Sequence, residues 1–147
     1  MSHIQRSALV HYSAEEMYNL VNDVADYQNF LPWCRSSSVI SESEDEMIAS
    51  VEIARGALNK TFTTRNRLQK GRRIELELVD GPFKKLQGYW QFDPLKTENA
   101  CKVTLDLEFE FDNAMMSIAA KPIFTQIANS LVGAFCKRAV EVYGERG

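Results

Sequence analysis

Asn22-Asp23-Val24-Ala25-Asp26-Tyr27-Gln28-Asn29-Phe30-Leu31-Pro32-Trp33-Cys34 is the stretch on which the reading of this 147-residue chain turns. Tyr27, Phe30, Leu31 and Trp33 fall within seven positions, in a segment that opens polar and is interrupted by Pro32. An amphipathic surface helix keeps its apolar residues on one stripe. This pattern predicts instead the end of one short helix, a second short helix and an extended exit, because Pro32 disfavours the helical region for Leu31. Asp23 and Asp26 read as caps of the second short helix. So many large apolar groups beside a helix break require burial, in the main core or at the mouth of a pocket.

Upstream, residues 3–12 read as a strand, with Ile4, Ala8, Val10 and Tyr12 on one parity. Ser13 and Glu16 then form a capping-box pattern, and Met17, Leu20 and Val21 give the following helix an apolar side. Downstream, from Arg35 to Phe111, the pattern has period two. Met47, Ala49, Val51 and Ile53 form one set; Phe62, Thr64, Asn66 and Leu68 another; then Ile74, Leu76 and Leu78; then Leu86, Gly88, Trp90 and Phe92. The clearest set is Val103, Leu105, Leu107, Phe109 and Phe111 against Lys102, Thr104, Asp106, Glu108 and Glu110. Such alternation predicts antiparallel strands with one covered face, and turns are expected at Gly56, Gly71, Asp80-Gly81-Pro82 and Asp93-Pro94.

The last third is helical. Asp112 or Asn113 can cap, 114–120 forms a first segment, and Pro122 suits a kink or restart. Ile123, Ile127, Leu131, Ala134, Phe135, Arg138 and Val142 then follow helical spacing up to Gly144. The order predicts an α+β fold: a curved antiparallel sheet of about 6–7 strands wrapped around one long C-terminal helix, with two short helices after the first strand. One helix cannot fill the concave side of so long a sheet, so a cavity is expected between them, with the aromatic segment at one end.

Length predicts one domain over 1–147 with a real core. Composition, 45% apolar and 25% charged, excludes a disordered chain. There is no apolar run long enough for a transmembrane helix and no basic-then-apolar secretory pattern over residues 1–10, so a cytoplasmic protein with at most peripheral membrane contact is expected. The three cysteines, Cys34, Cys101 and Cys136, are widely spaced and predict reduced thiols rather than disulfides or a zinc site. The net charge of −3 gives no global attraction to nucleic acid, and DNA is not an expected partner.

These residues resemble the family that contains the bacterial ribosome association toxin RatA and the mitochondrial coenzyme-Q-binding protein COQ10, within the START/Bet v 1-like helix-grip (SRPBCC) superfamily. The resemblance rests on Arg6 to Val10, on Tyr18 to Val24 with Tyr27, on Phe30 to Cys34, on Gly81 to Lys84 with Leu86, Gly88, Trp90 and Phe92, and on Phe135, Arg138, Ala139 and Val142 to Gly144. It covers nearly the whole chain; Gln28 departs from it, standing where the family often has proline. The resemblance implies a non-enzymatic protein that binds ubiquinone or a similar polyprenyl quinone in the helix–sheet cavity and supports respiration. Its alternative is a toxin that binds the 50S subunit and blocks 70S formation, and a weaker one is a polyketide cyclase-like enzyme.

The expected cavity is lined by Val51, Ile53, Phe62, Trp90, Leu107 and Phe109 from the sheet and Ile127 and Leu131 from the helix, with Tyr27, Phe30, Leu31 and Trp33 at its mouth. Gly88 is expected to leave room, and Thr64 and Asn66 to orient a headgroup such as a quinone carbonyl, or else to bond buried water or backbone. No cofactor is required. From 54 to 74 the chain carries basic residues and no acid. Lys60, Arg65, Arg67, Lys70, Arg72 and Arg73 can form a basic face for ribosomal RNA, or a solvated face paired to Glu52, Glu75 and Glu77. Catalytic and metal residues are not expected. His3 and His11 lack the close helical spacing of a zinc pair, and Cys34 has no histidine nearby in sequence to activate it.

Overall fold

The computed structural model describes residues 1–97 and 99–146; Gly147, the last residue of the span read as one domain, lies outside the described residues. Strand β1 (Ser2–Val10) is followed by helix α1 (Ala14–Asn22), a 3-10 turn (Val24–Asn29) and strands β2 (Cys34–Glu42), β3 (Glu46–Arg55), β4 (Leu58–Gln69), β5 (Arg73–Asp80), β6 (Phe83–Pro94) and β7 (Cys101–Phe111). Helix α2 (Ala114–Tyr143) closes the order.

All seven strands form one antiparallel sheet in the order β1-β7-β6-β5-β4-β3-β2. The α1 and 3-10 segment therefore carries the chain from one edge of the sheet to the other, and β2 to β7 return as a meander to lie beside β1. Register shifts at Cys34/Ser36, Val39/Ser41, Thr63/Thr64 and Phe83/Lys85 are bulges that bend and twist strands, and they help the sheet curve around α2. The capping box of α1 forms as expected: the Glu16 amide donates to Ser13 Oγ at 3.0 Å, and the Ser13 amide to Glu16 Oε1 at 2.9 Å.

Several local expectations are corrected. The second short helix is a 3-10 turn, and Asp23 caps it with its backbone only, its carbonyl accepting from the Asp26 amide. Pro94 belongs to β6; the turn before β7 comes later, where the Leu95 amide donates to the Ala100 carbonyl. Asn113, not Asp112, caps α2, accepting from the Met116 amide at 2.9 Å. Helix α2 runs through Pro122 without a break. Its buried stripe is Ala120, Phe124, Ile127, Ala128, Val132, Phe135 and Ala139, while Val142, expected with it, is exposed. Ile127 and Phe135 of the expected pattern lie in that stripe, and three alanines, at 120, 128 and 139, are buried with them.

Gly88 also differs from expectation. A Cβ there would stand 2.1 Å from the Asp106 carbonyl oxygen and 2.9 Å from Leu107 Cα. The absent side chain leaves no space in the cavity; it lets the β7 backbone close onto β6.

Candidate functional site: an apolar cavity and charged surface grooves

Between α2 and the concave face lies an apolar cavity of about 100 Å³. Of the residues expected to line it, Tyr27, Trp33, Val51, Ile53, Phe62, Thr64, Asn66, Trp90, Leu107, Ile127 and Leu131 do so. Three do not. Phe30 stands outside the cavity against the edges of Tyr27 and Phe135, with ring centroids 6.3 Å and 5.5 Å away. Leu31 is buried beneath the surface groove beside the segment. Phe109 is taken up in a phenylalanine cluster. Sequence reading missed Val24, Ala49, Leu76, Leu86, Leu105, Phe124, Ala128 and Phe135. For Ala49, Leu76, Leu86 and Leu105 the signal was present, since each shares the parity of a strand face already read as covered.

Two aromatic groups account for the small volume. At one end Phe83 stacks on Phe111 at 4.6 Å, and Phe124 meets Phe109 at 4.7 Å and Phe83 at 5.0 Å, with Phe62 beside them. At the other end Phe135 meets Tyr27 and Trp90, each at 5.4 Å. The Tyr27 hydroxyl donates to the Val21 carbonyl, which anchors the 3-10 turn to α1, and burial raises its pKa above the ordinary phenol value. Within the apolar lining the Thr64 hydroxyl donates to Asn66 Oδ1 at 2.7 Å, and Asn66 is only 5% exposed. That pair is the polar feature of the wall.

Among the described residues none of the three cysteines lines this cavity. Burial raises the thiol pKa of Cys34, Cys101 and Cys136, that of Cys101 to about 11, so each is held in the poorly reactive protonated form. No histidine lines the cavity among the described residues. His3 lies on the outer face, 2.8 Å from Asp106 Oδ1, and its ring, Asp106 and Glu108 bring ligand-type atoms within 4.8 Å of one another. Sequence reading could not find this group because about a hundred positions separate β1 from β7. Two of its members already have partners, Gln5 on Asp106 and Lys85 on Glu108.

The basic stretch does not form one face. Arg65 contacts Glu77 at 3.2 Å and Glu46 at 3.4 Å, Arg67 contacts Glu77 at 3.8 Å, and Arg73 contacts Glu75 at 3.7 Å while lying over the Tyr89 ring. Glu52 bonds Ser36 instead. The outer-face groove around these residues sets Arg65, Arg67 and Arg73 against Glu75, Glu77, Asp106 and Glu108. Lys70 and Arg72 line a different groove, beside α1, with Glu15, Glu42 and Glu44. Lys60 shares the parity of Phe62 and so stands off the Arg65/Arg67 face, at the far end of β4.

A third groove with basic residues in its lining lies outside the aromatic segment. It has a volume of about 510 Å³ and runs between residues 29–33 and α2, lined by Arg55, Lys137 and Arg138 with Glu141 as its carboxylate. Arg138 crosses from α2 to Asp26 at 3.2 Å, reaches Glu141 at 3.7 Å and lies over the Phe30 ring.

The family described as "Polyketide cyclase / dehydrase and lipid transport" matches residues 10–136. A protein named ribosome association toxin RatA from Vibrio cholerae is 52% identical over 99% of this chain and 100% of its own length. The chain belongs to the RatA/COQ10 family. At greater distance within the family stands the mitochondrial coenzyme Q-binding protein COQ10 homolog B of Xenopus laevis, 29% identical over 95% of this chain and 59% of its own. The helix-grip architecture extends beyond the family. The Zhui aromatase/cyclase from Streptomyces sp. R1128 superposes with a TM-score of 0.82 over 99% of both chains at 15% identity, a likeness of fold alone.

Proposed function

We propose that this protein acts through its surface, by associating with the ribosome, and catalyses no reaction. The observation that carries this reading is the small volume of the cavity. Small-molecule sites commonly enclose roughly 300–1,000 Å³, and about 100 Å³, narrowed by rings at both ends, is short of that range. The full-length likeness to proteins named ribosome association toxin supports the same reading. We take the specific action to be binding of the large subunit in a way that prevents joining of the small one. Sedimentation through a sucrose gradient tests it: added protein should travel with large subunits and convert joined ribosomes into separate subunits. A gradient left unchanged, with all the protein at the top, would overturn it.

A second reading has its own support. The Thr64–Asn66 pair set in an apolar wall is what a lipophilic ligand with one polar end needs, and a relative is named a coenzyme Q-binding protein. On this reading a prenyl quinone enters after the Tyr27/Phe135 end opens. Lipid extraction and native mass spectrometry of protein from its own host test it. A near-stoichiometric prenyl quinone is the expected result, and its absence from Leu131→Lys protein the control.

A further inference from the structure

We propose that the groove between residues 29–33 and the second half of α2 is a single-stranded RNA site, with Arg55 and Lys137 as its phosphate contacts; as a ribosome-contacting surface it rests on the reading above. The basic side chains of the surface differ in how far carboxylates hold them. Arg65, Arg67 and Arg73 are each held by a carboxylate, and the groove around them carries more acid than base. The groove beside α1 likewise sets two bases against three acids. In the groove outside the aromatic segment the balance is reversed. Its one lining carboxylate, Glu141, is engaged by Arg138, as is the nearby Asp26, which leaves Arg55 and Lys137 exposed and without a carboxylate partner among the described residues. Uncompensated exposed cations are what a phosphodiester backbone requires.

The rest of the groove suits nucleotides better than a flat protein surface. Gly133 exposes the helix backbone, and a Cβ there would meet nothing within 4 Å, so a ligand can approach α2 closely. The Asn29 side-chain amide donates to Asp26 and the Ser130 hydroxyl to the Ile127 carbonyl, which leaves their exposed oxygens as acceptors for base edges, and the exposed Pro32 ring gives a flat apolar surface on which a base can rest. The outer face around Arg65 and Arg67 has no comparable combination: its arginines are tied down and its one lining aromatic ring, Tyr89, is covered by Arg73. Trp33 forms part of both the groove and the cavity wall, so the two share a side chain.

The test uses the full chain, a labelled 12-nucleotide single-stranded RNA in filter binding, and purified large subunits in co-sedimentation. Arg55→Ala with Lys137→Ala should weaken RNA binding about tenfold and reduce the slope of log affinity against log salt by about 1.4, at roughly 0.7 per lost phosphate contact. The same variant should lose the large subunit. Lys96→Ala with Lys102→Ala, two exposed lysines elsewhere, should bind like the wild type, and circular dichroism should show all three proteins equally folded. RNA binding unchanged in the Arg55/Lys137 variant would overturn the proposal, as would a loss that follows Arg65 and Arg67 instead. Loss of sedimentation without loss of RNA binding would overturn the RNA assignment in favour of a ribosomal protein. Wild-type protein that binds RNA through the groove but never sediments with subunits would uphold the groove and sink the ribosome reading.

Discussion

Glu16 does three things at once. Its side chain closes the capping box of α1, its carboxylate takes both guanidinium nitrogens of Arg146 at 2.7 Å and 2.9 Å, and its carbonyl accepts from the Tyr143 hydroxyl at 3.0 Å. The Tyr12 hydroxyl adds a bond to the Gly144 carbonyl at 2.6 Å. The bidentate arginine is the main cause of a carboxyl pKa lowered from 4.5 to about 2. A carboxyl depressed in the folded state adds stability that is complete above its unfolded value and is lost as pH falls through the folded one. The window is therefore from about 4.5 down to about 2. Thermal midpoints measured across it should fall more steeply for the wild type than for Arg146→Ala; equal slopes would show that the clasp does not couple to folding. A second prediction at this scale concerns the polar pair in the cavity. Thr64→Val with Asn66→Leu removes donor and acceptor together, so stability should change little, by about 1 kcal/mol or less. Any prenyl quinone retained by the wild type should fall several-fold in lipid extracts of the variant.

At the scale of elements, α2 carries an evident flaw and β6 a hidden one. Pro122 sits inside a 30-residue helix, where it cannot donate to the carbonyl of Ile118. Pro122→Ala should raise stability by on the order of 1–3 kcal/mol in a denaturant titration. Asn113→Ala should lower it by about 1 kcal/mol through loss of the cap. Gly88→Ala has nowhere to put its methyl group and should cost on the order of 3–5 kcal/mol, or prevent folding. These positions also show what can be read before a structure is known. Alternation in β3 and β7 gave their covered faces directly, because a strand repeats every two residues whatever it packs against. The stripe of α2 was less legible: alanines at 120, 128 and 139 carry little hydropathy, yet they are buried in it. Gly88 was misread because its space is filled by the backbone of a neighbour that sequence does not place.

For the molecule as a whole, the question of function becomes one of what narrows the cavity and what stays free on the surface. The presence of a helix–sheet gap followed from element order, but its size did not, since it depends on phenylalanines from β4, β6, β7 and α2 meeting at one end. Likewise the basic stretch was visible as composition while its neutralisation depended on strand register, which sets Arg65 opposite Glu77 and Arg67 opposite Glu75. Phe135 is the ring that narrows the second end, touching Tyr27, Phe30 and Trp90. Phe135→Ala should destabilise the protein by about 3–5 kcal/mol while enlarging the cavity. If the chain still folds, it should take up small apolar probes that the wild type excludes, as thermal-shift titration can read.

The placement of Trp33 and Trp90 has a practical consequence. The chain has two tryptophans, and both stand in the wall of the helix–sheet cavity. Indole emission from this protein thus originates at that wall. Quinones accept excitation energy and electrons from indoles, so an arriving quinone would darken the emission, whereas a saturated lipid chain would shift its colour without dimming it. Because Trp33 also borders the surface groove, the same unlabelled signal would register whether a partner outside is felt within.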